Sequence, residues 1–365
     1  MKSIITRNDA YELLNEDILT FLDYVRQINQ DRQKELTYSK NVFLPLTHIC
    51  QNSCGYCNFK ESPEDTKNLL MNENQVRFLF QKANSYQCSE ALFTFGESAD
   101  ENILVKEKLN QYSYDSMAEY VHHLCSIALN EYEILPHTNM GIIGKKELSY
   151  LSQVNASMGL MLETTNKSLL NTIVHQDSPT KNPAKRLKFI EQAGKQKIPF
   201  TTGLLVGIGE TPMDRIDSLF EIKKLHDKYG HIQEIILQNF KPKKGIPMED
   251  YPESPVTELL KLTVISYLIF DDVSIQIPPN LNDNLISLFA LAGADDFGGV
   301  SPVTDDYINP ELPWPSVNNL QNQLNSIGYK LKERLPVYNK YLNESYLSKE
   351  VLDIALKIKK RNNIN

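Results

Sequence analysis

Residues 42–59 read VFLPLTHICQNSCGYCNF, a short apolar run that passes directly into three closely spaced cysteines. The run Val42–Thr47 has the length and composition of a buried strand in a parallel sheet. Cys50, Cys54 and Cys57 follow it, with three and then two residues between them. Three thiolates in one short loop can each bind a different iron of a cubane cluster, which leaves the fourth iron open. The stretch therefore predicts a strand that carries a cluster-binding loop at its carboxyl end.

Outward from this stretch, short apolar or β-branched runs alternate with longer helical ones such as Glu73–Tyr86, Pro183–Gln196 and Met213–Tyr229. The predicted strands are Val42–Thr47, Ala91–Phe95, Ile134–His137, Ala156–Leu162, Phe200–Val206, Glu234–Phe240 and Val273–Ile277, with a weak eighth run just before Gly293–Asp296. Such alternation implies right-handed βαβ units and a parallel sheet. The sequence thus predicts an α/β fold, a complete or nearly complete (β/α)8 TIM barrel with its active site at the carboxyl ends of the strands.

The two ends of the chain have a different pattern. Leu, Ile, Phe and Tyr recur at helical spacing between Asp9 and Gln30, so we expect an N-terminal helical cap over residues 1–40. The barrel is expected over 41–308. The last part, 309–365, begins with Pro-rich sequence and continues as a charged helical stretch, which predicts a short C-terminal extension packed on the barrel.

Composition excludes several classes of protein. The chain has 365 residues and a formal net charge of −8, a balance that argues against a nucleic acid or an anionic membrane as partner. It has no signal-like N-terminus and no apolar run near the ~20 residues of a membrane span, so we expect a cytoplasmic protein. In a reducing compartment clustered cysteines indicate metal or redox chemistry. The two other cysteines, Cys88 and Cys125, are expected to be buried and unreactive.

The cysteine loop also permits a second interpretation. His48 could complete a Cys3His zinc site, because zinc favours these ligands. However, His48 lies only two residues before Cys50, whereas zinc ligands more often come as a Cys-x2-Cys pair with a second pair further on. A non-catalytic iron–sulfur or zinc binding module is therefore the alternative to an enzyme.

The Cys-x3-Cys-x2-Cys spacing, with Tyr56 before the third cysteine, resembles the signature of the radical S-adenosylmethionine (SAM) superfamily. The resemblance implies a [4Fe–4S] cluster on the three cysteines, with SAM bound at the open iron and cleaved to a 5′-deoxyadenosyl radical. It also places Tyr56 near the adenine. Phe95-Gly96-Glu97 partly matches a Gly-Gly-Glu turn that meets the SAM ammonium in this superfamily, so Gly96 and Glu97 are candidates; an exposed turn is the alternative for Glu97.

Further SAM-binding candidates follow from the same resemblance. Glu163, at the end of the fourth strand, could bind the ribose hydroxyls or the amine, or form a rim salt bridge. Arg186 resembles the arginine that binds the SAM carboxylate in biotin-synthase-like members, a bidentate task that suits a guanidinium; a solvated helix arginine is the alternative. Gly207 and Gly209 resemble an element that lines the adenine pocket, although a tight strand-to-helix turn would use the same residues.

Longer segments resemble one family within the superfamily, the radical SAM subunit 1 of 7,8-didemethyl-8-hydroxy-5-deazariboflavin (FO) synthase. They include NVFLPLTHICQNSCGYCNF, LPHTNMG, IPFTTGLLVGIGET and GADDFGGVSPVT and extend over roughly residues 41–316. The chain departs from the family at Gln51 and Ser53, where basic residues are frequent, and at His175-Gln176, where the family commonly has His-Arg. These departures concern the charge of two loops and leave the cluster ligands untouched.

The family resemblance implies a substrate and partners. A companion radical SAM subunit, subunit 2, joins a tyrosine-derived 4-hydroxybenzyl group to 5-amino-6-ribitylaminouracil. Subunit 1 then oxidises and cyclises this adduct to the deazaflavin with loss of ammonia, which makes it an ammonia lyase. Its electrons would come from a low-potential donor such as ferredoxin or flavodoxin. The alternative enzyme is another radical SAM reaction on an aromatic or uracil-like substrate, of the tyrosine Cα–Cβ cleavage or menaquinone-pathway type.

Polar side chains near the predicted strand ends are candidates for substrate contacts. A uracil ring and a ribityl chain need many donors and acceptors, and a cyclisation that loses ammonia needs proton transfers, for which His137 or an Asp could serve. The alternative for each side chain is a satisfied hydrogen bond at the rim. The candidates are His137, Asn139, Gln238, Asn239, Asp295 and Asp296.

Overall fold

The structure, a computed structural model, describes residues 5–364 apart from the side chain of Asp31. Within this range eight parallel strands close into a barrel. They are β1 Glu35–Leu44, β2 Glu90–Thr94, β3 Leu135–Asn139, β4 Ser157–Gly159, β5 Phe200–Val206, β6 Ile232–Asn239, β7 Ser274–Gln276 and β8 Asp296–Val300. Each strand pairs with the next along the chain, and β1 pairs with both β2 and β8. The predicted (β/α)8 barrel is confirmed.

Helices surround the barrel. They are α1 Arg7–Asn15, α2 Ile18–Asp31, α3 Glu73–Ser85, α4 Ile103–Gln111, α5 Met117–Tyr132, α6 Lys145–Ser152, α7 Pro183–Lys195, α8 Pro212–Tyr229, α9 Val256–Ile269, α10 Ile286–Leu291, α11 Val317–Asn325 and α12 Lys349–Arg361. Local sequence sets their ends: α8 begins at a capping box between Thr211 and Asp214, with a proline in its first turn, and ends at left-handed Gly230. These are strong start and stop signals. No helix of the described chain is long and apolar enough to span a bilayer.

The eighth strand lies after the GADD segment, not before it, so the prediction of its position was wrong. The apolar run before Gly293 forms α10 instead. The strand itself reads DFGGV. Glycine has a low β-propensity, so a propensity-based prediction does not identify this strand. Gly298 has a φ of +67°, and a Cβ there would lie 2.1 Å from Nε2 of Gln276, so this position requires glycine.

The two ends of the chain both pack on the barrel. At the N-terminus, α1 and α2 contact α8, α9 and α10. Near the C-terminus a ninth strand, β9 Lys330–Arg334, pairs in parallel with the first half of β1. Thus β1 is longer than predicted: its first half pairs with β9 and β8, and its second half, from Asn41, pairs with β2.

The hydrophobic core lies between the strands and the helices. Outward-facing strand residues such as Val42, Ala91 and Thr138 are fully buried there. Because side chains alternate along a strand, their neighbours point into the barrel lumen. Several of these neighbours are polar, among them Glu90 and His137. The lumen is therefore partly open and continues into the site at the carboxyl ends of the strands.

Candidate active site

The three cysteines line one cleft at the carboxyl end of β1. This cysteine cleft spans about 1080 Å³, including the open space at its mouth, and is also lined by Tyr56, Glu97, Glu163, Lys181 and Arg186. Backbone hydrogen bonds hold the loop: Gln51 N donates to Glu97 O over 2.9 Å, and Gly55 N donates to Val174 O over 3.0 Å. At Gly55 a Cβ would come within 2.4 Å of the Ile173 carbonyl oxygen. The loop is thus fixed from two sides before any ligand binds.

The thiols themselves are free; Cys54 is buried, and Cys50 and Cys57 are half-buried. Ser178 Oγ donates to Cys54 Sγ over 3.3 Å, and Phe59 N donates to Cys57 Sγ over 3.4 Å. Burial raises the pKa of the Cys50 and Cys57 thiols. Donors directed at sulfur stabilise the thiolate form that iron binds.

The thiol arrangement fits a cubane cluster. Among residues 5–364, no three His, Cys, Asp or Glu side chains converge on a point that one metal ion would occupy. A cubane takes its three thiolates at three separate irons, so its ligands surround a volume instead of a point. His48, the zinc alternative, has Nδ1 2.8 Å from the Phe59 carbonyl oxygen. The donor set of this cleft is therefore that of an iron–sulfur cluster with one open iron.

Glu97 and Arg186 form a buried ion pair in the cysteine cleft. Arg186 Nη1 lies 3.4 Å from Glu97 Oε2, which also accepts from Asn52 Nδ2 over 3.1 Å; the Ile142 N–H donates to Oε1 over 2.9 Å. The Nε of Arg186 is buried without a hydrogen-bond partner. An open guanidinium edge beside a carboxylate suits the carboxylate and the ammonium of one amino acid.

Close backbone contact brings Glu97 to the cysteine loop. Gly96 lies so near the loop that a Cβ would be 1.8 Å from the Ile49 carbonyl oxygen. The structure thus places Gly96, Glu97 and Arg186 beside the cysteines, where the sequence analysis expects them. Their contacts with SAM stay a prediction.

A second ion pair occupies another wall of the cleft. Lys181 Nζ lies 2.6 Å from Glu163 Oε1 and 5.7 Å from the centre of the Tyr56 ring. Burial alone would raise the pKa of Glu163, but the charges of Lys181 and Arg186 outweigh it and hold that pKa below its usual value. The Tyr56 hydroxyl lies 3.2 Å from His175 Nε2, and burial, with help from Lys181, lowers the pKa of His175 to about 4. Sequence reasoning missed Lys181, since no motif marks a lysine before a helix cap.

Gly207 and Gly209 lie in the turn after β5 and do not line the cysteine cleft. Their φ angles are +97° and +109°, so the turn needs glycine. Glu210 accepts from the N–H groups of Gly207 and Ile208 at 2.8 Å each, and Arg215 holds Glu210 at 2.6 Å. The structure shows the tight strand-to-helix turn. Its link to the cleft is indirect, because Ile208 belongs to an apolar cluster that packs against Tyr56.

Four of the six candidate substrate residues come together, and two do not. Asn139 and Gln238 line the cysteine cleft, as does Asn239, which accepts from Asn282 Nδ2 over 2.9 Å. His137 lies deeper in the lumen. The remaining two residues, Asp295 and Asp296, line no part of the cleft.

The position of β8 explains where the two aspartates lie. Because β8 follows the GADD segment, both are at its amino end, far from the rim. Asp295 accepts from Ile275 N over 2.8 Å. Asp296 pairs with Arg334 of β9 over 2.5 Å. Sequence reasoning also missed Arg334, because only the fold brings β9 to the barrel.

Comparisons with known proteins agree with this geometry. A family model described as the radical SAM superfamily matches residues 44–222. The chain is 52% identical to the 7,8-didemethyl-8-hydroxy-5-deazariboflavin synthase of Methanococcus vannielii, over 96% of this chain and 99% of that protein. It is also 52% identical to the synthase of the same description from Methanocaldococcus jannaschii, over 95% and 97%. The chain belongs to the radical SAM superfamily and, within it, to this synthase family.

Solved radical SAM structures share the fold. HydG from Carboxydothermus hydrogenoformans, an FeFe-hydrogenase maturase, superposes with a TM-score of 0.73 at 16% identity, over 99% of this chain and 85% of that one. Methylornithine synthase (PylB) superposes with a TM-score of 0.68 at 17% identity, over 90% and 94%. At these identities the likenesses show the fold alone. The cofactors follow from the family: a [4Fe–4S] cluster and SAM.

Proposed function

We propose that this radical SAM enzyme is subunit 1 of FO synthase and cyclises the adduct 5-amino-5-(4-hydroxybenzyl)-6-(D-ribitylimino)-5,6-dihydrouracil to the deazaflavin, with loss of ammonia. The observation that carries the proposal is the identity of about half to curated synthases over nearly the whole of both chains. The barrel alone does not support it, since one fold hosts many reactions.

The residues of the cysteine cleft divide into three tasks. Cys50, Cys54 and Cys57 hold the cluster. Glu97 receives the ammonium of SAM and Arg186 its carboxylate, while Tyr56 packs against the adenine and Glu163 accepts from the ribose hydroxyls. When bound, cluster and SAM together supply a 5′-deoxyadenosyl radical that abstracts a hydrogen atom from the substrate. The buried walls keep water from this chemistry.

The rim side chains position the substrate below SAM. Asn139, Gln238 and Asn239 each offer an amide that can donate and accept. Burial lowers the pKa of His137 to about 3, so His137 is neutral at physiological pH and acts as a hydrogen-bond acceptor. Holding the reacting carbon near the radical source is the main contribution of such groups.

The companion subunit 2 would supply the adduct, and a low-potential donor such as ferredoxin or flavodoxin would supply the electron. The test is anaerobic reconstitution with SAM, dithionite and synthetic adduct deuterated at the candidate carbons. We expect deazaflavin fluorescence together with deuterium in 5′-deoxyadenosine. SAM cleavage without deazaflavin would favour another radical SAM reaction, and no SAM cleavage would favour a binding module.

A further inference from the structure

A second cavity fills the lumen below the cysteine cleft. This lumen chamber spans about 1010 Å³, including the open space at its mouth, and its lining includes Glu90, His137, Glu234, Gln276 and Arg334. It is continuous with the cysteine cleft, because six residues line both: Thr94, Asn139, Met161, Gln238, Ile308 and Asn309. The interior of a (β/α)8 barrel is normally packed with branched apolar side chains. Here polar side chains leave space instead of filling it.

His137 presents an acceptor to the lumen chamber. Ser157 Oγ donates its one hydrogen to the Pro336 carbonyl oxygen over 2.8 Å, so it must accept from His137 Nδ1, which lies 2.7 Å away. In the neutral ring the proton is then on Nδ1, and Nε2 carries a lone pair. Gly159 lies opposite, where a Cβ would come within 2.9 Å of Nε2. The absent side chain keeps this acceptor accessible.

Two amides in the lumen have no hydrogen-bond partner in the described part of the chain. Gln276 lines the chamber over Gly298, and no partner contacts its amide. Asn41 is fully buried, and neither its Oδ1 nor its Nδ2 has a partner. It lies two residues before Phe43, so its side chain points towards the lumen, but it sits behind Gly299 and does not line the chamber. Unpartnered amides are costly to maintain, and of these two only Gln276 can reach a ligand in the chamber.

The charges of the lumen chamber exclude an anion. Among the described lining residues Arg334 is the only permanent cation, and it is already paired with Asp296 over 2.5 Å and Glu234 over 2.6 Å. Glu90 adds a further carboxyl group. A phosphate would thus meet no unpaired cation and several carboxyl groups. A neutral group rich in hydroxyls fits, because each hydroxyl can both donate and accept.

We propose that the lumen chamber binds the unphosphorylated ribityl chain of the substrate, with His137 and Gln276 as its hydrogen-bonding partners. This inference rests on the proposed function. The ribityl chain does not react, so it can lie away from the cysteines while the rings stay in the cysteine cleft. The chamber would also reject a ribityl chain that ends in phosphate.

The test measures the affinity of the anaerobically reconstituted holoenzyme for three fluorescent deazaflavins. They carry a ribityl chain, a methyl group in its place, or a ribityl chain with a terminal phosphate. We expect the ribityl compound to bind at least about tenfold more tightly than either analogue. His137→Phe and Gln276→Leu should each weaken ribityl binding by about two- to tenfold and leave binding of the methyl analogue unchanged.

Thr202→Val is the matched control, since Thr202 is buried with an unpaired hydroxyl but faces away from the lumen. It should leave all three affinities unchanged. His137→Phe and Gln276→Leu keep side-chain volume at the chamber wall, and the comparison of the three ligands on the wild type tests the inference even if a variant fails to fold. Equal binding of the ribityl and methyl compounds, or equal weakening of both by the variants, would overturn the inference. If the ribityl inference fails but the wild type makes deazaflavin from the adduct, the proposed function remains intact. If the wild type makes no deazaflavin, the proposed function fails together with the inference.

Discussion

Two buried ion pairs prepare the cysteine cleft at the scale of single residues. Lys181 with Glu163 and Arg186 with Glu97 lie on the walls around the cysteine loop. The second pair is the looser one, at 3.4 Å, and it leaves Arg186 Nε without a partner. We therefore expect the amino-acid end of SAM to bind beside this pair. Preorganised charges of this kind bind without the cost of ordering them.

The first prediction concerns the thiols. Replacing any one of Cys50, Cys54 or Cys57 with Ala should remove cluster binding and abolish SAM cleavage, because a cubane left with two protein ligands is held too weakly. Iron and sulfide content after anaerobic reconstitution, with 5′-deoxyadenosine release, measures the effect. Cys125→Ala is the control: this thiol is buried outside the cleft, and burial raises its pKa to about 12. A cluster retained at full stoichiometry in a loop variant would contradict the ligand assignment.

At this scale, site residues can be predicted from the sequence where they belong to a local motif. The three cysteines and the Gly96-Glu97 turn were predicted because their spacing and order in the chain are themselves the signal. Lys181 and Arg334 were not predicted, since each acquires its role only from residues distant in sequence. Asp295 and Asp296 were proposed for the rim because the strand that follows them was placed before them. Pattern alone cannot tell on which side of a weak strand a polar pair lies.

At the scale of elements, the contact between the cysteine loop and the turn after β2 holds the site together. Gln51 N donates to Glu97 O, and Gly96 N donates to Thr47 O over 3.0 Å. The absence of a side chain at Gly96 permits this approach. The distance between Glu97 and the cysteines therefore depends on the glycine at position 96.

Gly96→Ala should accordingly separate the two segments. The new methyl group would overlap the Ile49 carbonyl oxygen at 1.8 Å, and relieving the overlap should cost about 1–3 kcal/mol of stability. We expect a folded barrel with reduced iron content and weaker SAM binding, measured by iron analysis and by the SAM dependence of cleavage. Gly144→Ala is the control, because its Cβ would meet only the flexible Glu147 carboxylate at 3.0 Å. Normal iron loading in Gly96→Ala would disprove the dependence.

At the scale of the whole molecule, β9 supplies the charge that balances the floor of the lumen. Burial would raise the pKa of Asp296, but Arg334 outweighs it and holds that pKa below its ordinary value. The pair therefore stabilises the fold fully above the unfolded pKa of Asp, roughly 3.9. This contribution is lost only as pH falls through the lower folded pKa.

Removing the guanidinium should reverse this pH dependence. In Arg334→Met, burial is no longer offset by the guanidinium, so the pKa of Asp296 rises above its unfolded value, and the pKa of Glu234, which burial already raises to about 8, rises further. The variant should lose about 3–5 kcal/mol at neutral pH and regain part of it as pH falls and the carboxylates become protonated. Denaturant unfolding at pH 7 and pH 5 measures the change. The triple variant with Asp296→Asn and Glu234→Gln should be less destabilised at pH 7; a pH-independent loss would refute this account.

The closing strand also has a consequence for how the protein is made. The first half of β1 pairs with β8 and β9, so Thr37 lies beside Asp296 and Glu35 beside Lys330. During translation the cysteine loop emerges early, but its holding partners at Glu97 and Val174 follow later, and the neighbours of β1 come last. Pairing between distant segments is slow and leaves edges exposed. The three thiols therefore emerge before the segments that hold their loop, and we expect iron to be loaded only after the barrel has closed.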